Sequence, residues 1–473
     1  MAQQLHFLMI PLMSQSHIIP LTDFAKSLAR RGALVSIVTT PLNAKRYNST
    51  LASSPLTHLI PLHFPCREAG LPDGCENLDA LNSLDLARQF FHACRLLKSP
   101  LHDLIRRLHP APNCIISTNA ISWTQDLADS FRIPRYVFET VSCFTLHCSK
   151  KISQLVDSVA SDSDIFPVPK IPHRVQFSRN QLPRIPTKDS DSFTDPDPAP
   201  PRGTLVNTFQ KLEPWYLNAC REERGSLWSV GPVSLSNREA SERLSRGNEA
   251  SIDEHYCLTW LDSMERDSVV YACFGSLCTL SIEQIIEIGL GLEESGSPFI
   301  WIIRKQERSS GKVEEWLAAE GFEERVRGKG VVVRGWAPQV MILSHPSVGG
   351  FLTHCGWNST LEGVAVGVPM IAWPMFAEQF YNEKLVVDVL GIGVRIGVES
   401  CADKQGLVRR ERVRSAVVKL MGERGVRERA EGLARAATDA YEDGGSSFLN
   451  VTLFIEDVVR AHAEMAVNVL DTD

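Results

Sequence analysis

Between Trp336 and Gln379 lies a run of residue types able to hold a nucleotide and a sugar: an aromatic ring, a histidine, the cluster Gly356-Trp357-Asn358-Ser359, Glu362, and the pair Glu378-Gln379. The strand-like run Gly330–Gly335 precedes it, and a second, Val348–Thr353, opens inside it into a helix expected from Trp357 to Val364. Unpaired amides at that helix start, with the side chains of Asn358 and Ser359, can receive phosphate charge, and His354 just before the turn can reach a phosphate oxygen. The plainer alternative is an Asn/Ser helix cap beside a core histidine. Trp336, directly after a strand and before Ala337-Pro338-Gln339, is placed to be a stacking platform for a base. Glu362, one helical turn beyond Asn358, can accept from ribose hydroxyls, and Gly275-Ser276 offers a further amide and hydroxyl to phosphate. At another strand exit, Glu378-Gln379 suits adjacent hydroxyls of a hexose; a solvated acidic turn is the alternative.

His17, in Ser14-Gln15-Ser16-His17-Ile18, falls beyond the first strand at the start of the first helix. A helix amino end disfavours imidazolium, which leaves this side chain neutral and able to take a proton from an attacking hydroxyl. Taken alone, a capping or buried structural histidine is the default reading. Such a base normally has a carboxylate behind it, and the place for one is the end of Cys114–Ser117. There the chain reads Thr118-Asn119, and Asp126 lies further on in a helix-like segment.

The elements that must position these groups follow from periodicity. Phe7–Leu12 reads as a buried strand, Ile18–Arg31 as a helix and Ala33–Thr40 as a second strand, one βαβ unit. Further strands are expected at His58–Leu62, Cys114–Ser117, Arg135–Phe138, Thr204–Phe209 and Leu227–Val230, with a Pro-, Ser- and Asp-rich irregular excursion over Pro167–Arg202. The polar segment Asn237–Ser251 reads as a linker. The pattern then restarts with a strand at Val269–Phe274, a helix at Ser281–Glu294 and a strand at Pro298–Ile303, and a last helix is expected over Ser447–Val467. The expected fold is α/β, two facing Rossmann-like domains with a cleft between them. An N-terminal domain of 1–236 would bind the acceptor, 237–251 would link, 252–446 would bind the nucleotide, and 447–473 would return to the first domain.

At 473 residues the chain exceeds what one hydrophobic core usually supports. With 44% apolar and 22% charged residues it is an ordinary folded protein. A net charge of −7 argues against nucleic acid or an anionic membrane as the main partner. Twelve cysteines without a CxxC pair read as reduced thiols, with no spacing that favours a metal. Neither a signal peptide nor a bilayer-length apolar run is evident, so a cytoplasmic monomer is expected, without stable membrane insertion.

The stretch Trp336-Ala337-Pro338-Gln339 through His354-Cys355-Gly356-Trp357-Asn358-Ser359, Glu362, Pro374 and Glu378-Gln379 resembles the signature of plant secondary-product UDP-glycosyltransferases. Support comes from His17, Glu68-Ala69-Gly70-Leu71-Pro72, Gly74-Cys75-Glu76-Asn77, Gly231-Pro232, Gly275-Ser276 and Gly444-Gly445-Ser446-Ser447, so the resemblance spans nearly the whole chain. It is nearest to the branch that decorates flavonoids and triterpenoids. The resemblance implies the GT-B type of fold and inverting transfer from UDP-glucose as donor substrate, with no metal and no other cofactor. It implies uracil stacked on Trp336 and bonded to the Ala337 backbone, ribose at Gln339 and Glu362, and the diphosphate at Ser276, His354, Asn358 and Ser359. The sugar would be bordered by Trp357, Glu378 and Gln379, with Thr140 reaching phosphate or sugar from the first domain; a final glutamine goes with glucose.

Two residues depart from the family pattern. Ser16 replaces the glycine before the catalytic histidine, and Thr118 stands where its aspartate partner is expected. A hydroxyl can orient His17 without balancing an imidazolium charge, so weakly acidic alcohols should react slowly. Acidic phenols need less help. Attack by an electron-rich polyhydroxylated ring carbon, giving a C-glucoside, and a catalytically weak binder of nucleotide sugars are the alternatives. The acceptor walls, around Leu86–Cys94, Phe144–Cys148 and Ser190–Pro200, imply only a bulky hydrophobic small-molecule guest.

Overall fold

The computed structural model describes residues 4–52, 54–81, 84–155, 161, 164–183, 200–304, 307–308, 311–401 and 405–470, with the side chains of 465–470 set aside. The acceptor-wall segment at 190–199, within the Pro/Asp-rich excursion, lies outside the described residues.

Contacts divide the chain into two compact units. The first comprises Met1–Thr140, Ile185–Asn248 and Asp439–Asp473, and the second Val141–Arg184 and Glu249–Thr438. The stretch from Val141 to Arg184, expected with the first domain on chain order, therefore packs with the second. Its helix Cys143–Ser153 is started by Ser142, whose hydroxyl accepts from the Thr145 amide at 3.0 Å. Its hairpin joins β6 (Phe166–Pro167) to β7 (Gln176–Phe177), and Phe177 packs its ring 4.7 Å from that of Tyr381.

In the first unit β1 (His6–Ile10), β2 (Leu34–Thr39), β3 (Thr57–Pro61), β4 (Cys114–Thr118), β5 (Arg135–Glu139), β8 (Gly203–Val206) and β9 (Leu227–Ser229) form a parallel sheet in the order β3-β2-β1-β4-β5-β8-β9. Its central strands are buried along their length, charged Arg135 and Glu139 of β5 included, because helices cover both faces of such sheets. The core joins Phe7, Phe24, Ile116, Phe138 and Leu205 to Val451, Phe454 and Val458 of the helix Ser446–Leu470.

The segment read as a linker is not a loose tether on the first unit's side. Arg246 and Asp23 form a buried ion pair at 2.8 Å, Asn237 bonds both Asp23 and Lys26 at 2.8 Å, and Arg30 pairs with Glu242 at 3.2 Å. Residues 237–246 are thereby fastened along the helix Gln15–Ala29, which carries His17.

In the second unit β10 (Val269–Cys273), β11 (Phe299–Ile303), β12 (Gly330–Arg334), β13 (Val348–Thr353), β14 (Met370–Ala372) and β15 (Gly393–Arg395) form a parallel sheet in the order β12-β11-β10-β13-β14-β15. Each sheet reverses its winding once, between β1 and β4 in the first and between β10 and β13 in the second. At such a reversal the loops leaving the two neighbouring strands diverge and open a crevice beyond the carboxyl ends, the usual ligand site of this fold. His17 and Thr118 follow β1 and end β4, while Ser276 and His354 follow β10 and β13.

Candidate active site

The second unit gathers most of the expected residues. The helix Trp357–Val366 begins at Gly356, and no side chain caps it. Asn358 and Ser359 stand inside its first turn, so the Asn/Ser cap is not the arrangement found, and the Trp357 amide of this turn bonds the Glu378 carboxyl. The helix stops at Gly367, whose φ of +77° suits a residue without Cβ.

His354 lies against two glycines. A Cβ on Gly275 would stand 2.4 Å from the imidazole Cε1, and one on Gly356 would stand 2.5 Å from Nε2. Both residues must be glycine for the ring to hold its place. Its Nδ1 is buried with no hydrogen-bond partner, and burial, reinforced by the Arg304 cation, pushes the imidazole down to about 4. His354 is thus a neutral donor or acceptor at physiological pH.

Beside it a polar net joins three expected residues. Gln339 Nε2 donates to Ser359 Oγ at 3.0 Å and to Glu362 Oε2 at 2.7 Å. Tyr271, which the sequence did not single out, donates its hydroxyl to Gln339 Oε1 at 3.4 Å. Trp336 is half-buried, with its backbone fixed by Ser251: the Ser251 amide donates to the Trp336 carbonyl at 2.8 Å, and the Trp336 amide donates to Ser251 Oγ at 3.0 Å. Ala337 is buried next to it, so its backbone is what a ligand could meet.

At the exit of β14 the geometry departs from a solvated turn. Gln379 is 3% exposed, and its Oε1 accepts the amides of Met375 at 2.8 Å and Phe376 at 3.1 Å. Only its Nε2 is left to address a sugar hydroxyl. Burial raises the Glu378 carboxyl, against the lowering effect of its own amide and that of Trp357. Trp357 is 2% exposed, and its amide bonds the Glu378 carboxyl. Asn382, missed in the sequence because it looks like any helical asparagine, is wholly buried. Its Nδ2 donates to the Cys355 carbonyl at 2.9 Å, tying the helix Gln379–Lys384 to the turn after His354.

In the first unit, burial pushes His17 down to about 4, and its Nδ1 is enclosed without a hydrogen-bond partner. Thr118 is 0% exposed, and its Oγ1 accepts the Leu12 amide at 2.9 Å. Its observed role is therefore to fix the loop that leads from β1 to His17. Thr140 is buried and donates to Asn119 Oδ1 at 3.4 Å. Among the described residues no group of three or more His, Cys, Asp or Glu is arranged to hold a metal ion, and all twelve cysteines are free.

Two Rossmann-like units, one carrying polar groups at its winding reversal and a half-buried indole after β12, define a nucleotide-dependent enzyme of the α/β class. A family model described as UDP-glucoronosyl and UDP-glucosyl transferase matches residues 253–409. The chain is 45% identical over 479 residues to UDP-glycosyltransferase 73C6 of Arabidopsis thaliana, covering 96% of this chain and 97% of that one. It is 44% identical over 480 residues to UDP-glycosyltransferase 73C10 of Barbarea vulgaris, with the same coverage. The solved structure of Glycyrrhiza uralensis UGT73P12 complexed with glycyrrhetinic acid 3-O-monoglucuronide matches with a TM-score of 0.88 at 34% identity, over 99% of both chains. That of Arabidopsis thaliana UGT89C1 complexed with quercetin gives 0.74 at 29%, over 96% of this chain and 100% of the other. The chain belongs to the plant UDP-glycosyltransferases; it is a glycosyl transferase of the GT-B fold class.

Proposed function

We propose that the protein transfers glucose from UDP-glucose, with inversion, to a hydroxyl of a small hydrophobic acceptor such as a flavonoid, another phenol or a triterpenoid. The observation that carries this reading is the joint placement of His354, the glycine that starts the helix Trp357–Val366 and the Gln339–Ser359–Glu362 net at the winding reversal of the second sheet. Uracil would lie on Trp336 with the Ala337 backbone at its edge, and ribose on Gln339 and Glu362. The diphosphate would be held by Ser276, His354, Asn358, Ser359 and the helix amides, with Thr140 as a further contact. Glu378, Gln379 Nε2 and the backbone at Trp357 would address the sugar; Gln379 is the reason for naming glucose. The acceptor class is suggested by the triterpenoid conjugate and the flavonol that appear with the two solved relatives.

His17 would take the acceptor proton as its oxygen bonds to the anomeric carbon and the carbon–oxygen bond to the diphosphate breaks, releasing UDP. A neutral imidazole with a buried Nδ1 supports this role, the second ring nitrogen being the acceptor. The missing charge partner supports C-glucosyl transfer as a second reading, in which an electron-rich ring carbon attacks and loses its proton afterwards. No helix of the described residues is long and apolar enough to cross a membrane, and we place the protein in the cytoplasm as a monomer.

Purified enzyme with UDP-glucose and a panel of flavonoids, simple phenols and triterpenoids tests the reading. Glucosides are expected, with His17→Ala lowering turnover by at least about a hundredfold while UDP still binds. Full activity in His17→Ala would remove the base from its role. Products whose sugar survives acid hydrolysis would establish the C-glucoside reading instead.

A further inference from the structure

Ser276 is itself held by a buried ion pair that none of the site's expected ligands includes. Arg304, which follows β11, is 8% exposed. Its Nη1 donates to the Ser276 carbonyl, and its Nη2 donates to Thr279 Oγ1 at 3.2 Å. Glu307 lies behind it: Oε2 accepts the Arg304 amide at 2.8 Å, Oε1 accepts the Leu280 amide at 3.4 Å, and Oε1 stands 3.7 Å from Arg304 Nε. The loop from Ser276 to Leu280 is therefore bonded from below at three points. Gly275, the residue just before it, has a φ of +72° and lies against the His354 ring.

We infer that Arg304, braced by Glu307, is a positioning residue of the transferase. It fixes the Ser276 loop and supplies buried positive charge behind the seat of the donor diphosphate, without touching the nucleotide. The inference rests on the reading that Ser276 and His354 receive the diphosphate. A buried cation is costly to desolvate, and Glu307 supplies the one negative charge that balances it. What the pair turns towards the diphosphate is its positive end, a fixed dipole that favours the charge gathering on the phosphates as they leave the sugar. Arg304 also lowers the His354 imidazole, as a nearby cation must. Its fixed fork suits two oxygen acceptors on one loop, which an ammonium would reproduce poorly.

The test is calorimetric titration of the whole enzyme with UDP and, separately, with uridine. In wild type UDP should bind at least tenfold more tightly than uridine. Equal affinities would overturn the diphosphate seat itself and the inference with it. Given that preference, Arg304→Gln should weaken UDP by roughly ten- to a hundredfold while uridine changes less than about twofold. A parallel loss of both ligands, or no loss of either, would reduce Arg304 to ordinary structural support and overturn the inference. Should Arg304→Gln fail to fold, Thr279→Val carries the test. It should weaken UDP selectively, by a smaller factor, and raise donor KM more than it lowers kcat. A uniform effect on UDP and uridine in this variant would have the same overturning force.

Discussion

At the scale of the residue, the departure with most consequence is at position 118. A His17 held near 4 by burial stays neutral across the physiological range, yet has little drive to accept a proton. Thr118→Asp would put a carboxylate at the end of β4 while keeping an oxygen to receive the Leu12 amide. A negative charge favours imidazolium, so the pKa of His17 should rise by about one to three units. The acid limb of kcat/KM, expected near 4 in the wild type, should move upward by the same amount, and turnover of weakly acidic alcohols should increase several-fold. A pH profile of the variant superimposable on the wild-type one would show that no carboxylate at 118 can reach the imidazole. Position 118 was legible because a strand end opposite a histidine-bearing loop is where an acid is required. That the threonine is engaged by a backbone amide was not, since a hydrogen bond between residues 106 apart leaves no local pattern.

At the scale of the element, the helix start at Gly356 offers a cleaner perturbation than most glycine sites. Gly356 has a φ of −60°, which any residue adopts, and replacing an N-cap glycine costs only a few tenths of a kcal/mol to about 1 kcal/mol. The added methyl of Gly356→Ala instead meets His354 Nε2 at 2.5 Å and must displace the ring. The expected outcome is a loss of UDP affinity of about tenfold or more, with a thermal midpoint within a few degrees of the wild type. Unchanged UDP binding would mean that the position of His354 does not matter to the diphosphate. Strands such as β13 and helices such as Ile282–Glu294 could be read from the sequence almost to the residue, because apolar runs and the Ser281 cap are local signals. Short β15 was not, and β14 was read only as a strand exit before Glu378, without bounds. Three residues in mostly apolar surroundings show no periodicity, and only their register with β13 makes them strands. The association of Cys143–Ser153 with the second unit was equally hidden, since it depends on contacts such as Thr145 Oγ1 donating to Asn382 Oδ1 at 3.4 Å, between distant parts of the chain.

At the scale of the whole molecule, the first unit is discontinuous, and its integrity depends on residues that follow the whole of the second sheet in the chain. The helix Ser446–Leu470 places Val451, Phe454 and Val458 in the core formed by β1, β4 and β5. Phe454 packs edge-on to Tyr136 at 4.9 Å, and Asp457 accepts from the Tyr136 hydroxyl at 2.7 Å and from Arg202 Nε at 3.0 Å. Three such apolar side chains contribute about 5–9 kcal/mol by burial, comparable with the whole stability of a typical domain of about 5–15 kcal/mol. Removing them also strips cover from Phe7, Phe24 and Trp228, whose rings lie within 6.2 Å of Phe454. A chain stopped at Gly445 should therefore fail to form a stable first unit, whereas the β10–β15 sheet receives none of these side chains. Limited proteolysis of the truncated chain should leave a protected fragment containing 253–409 and degrade the β1–β5 region. Equal protection of both regions would mean that the first sheet closes its core without the terminal helix. The dependence would then lie in the strands themselves.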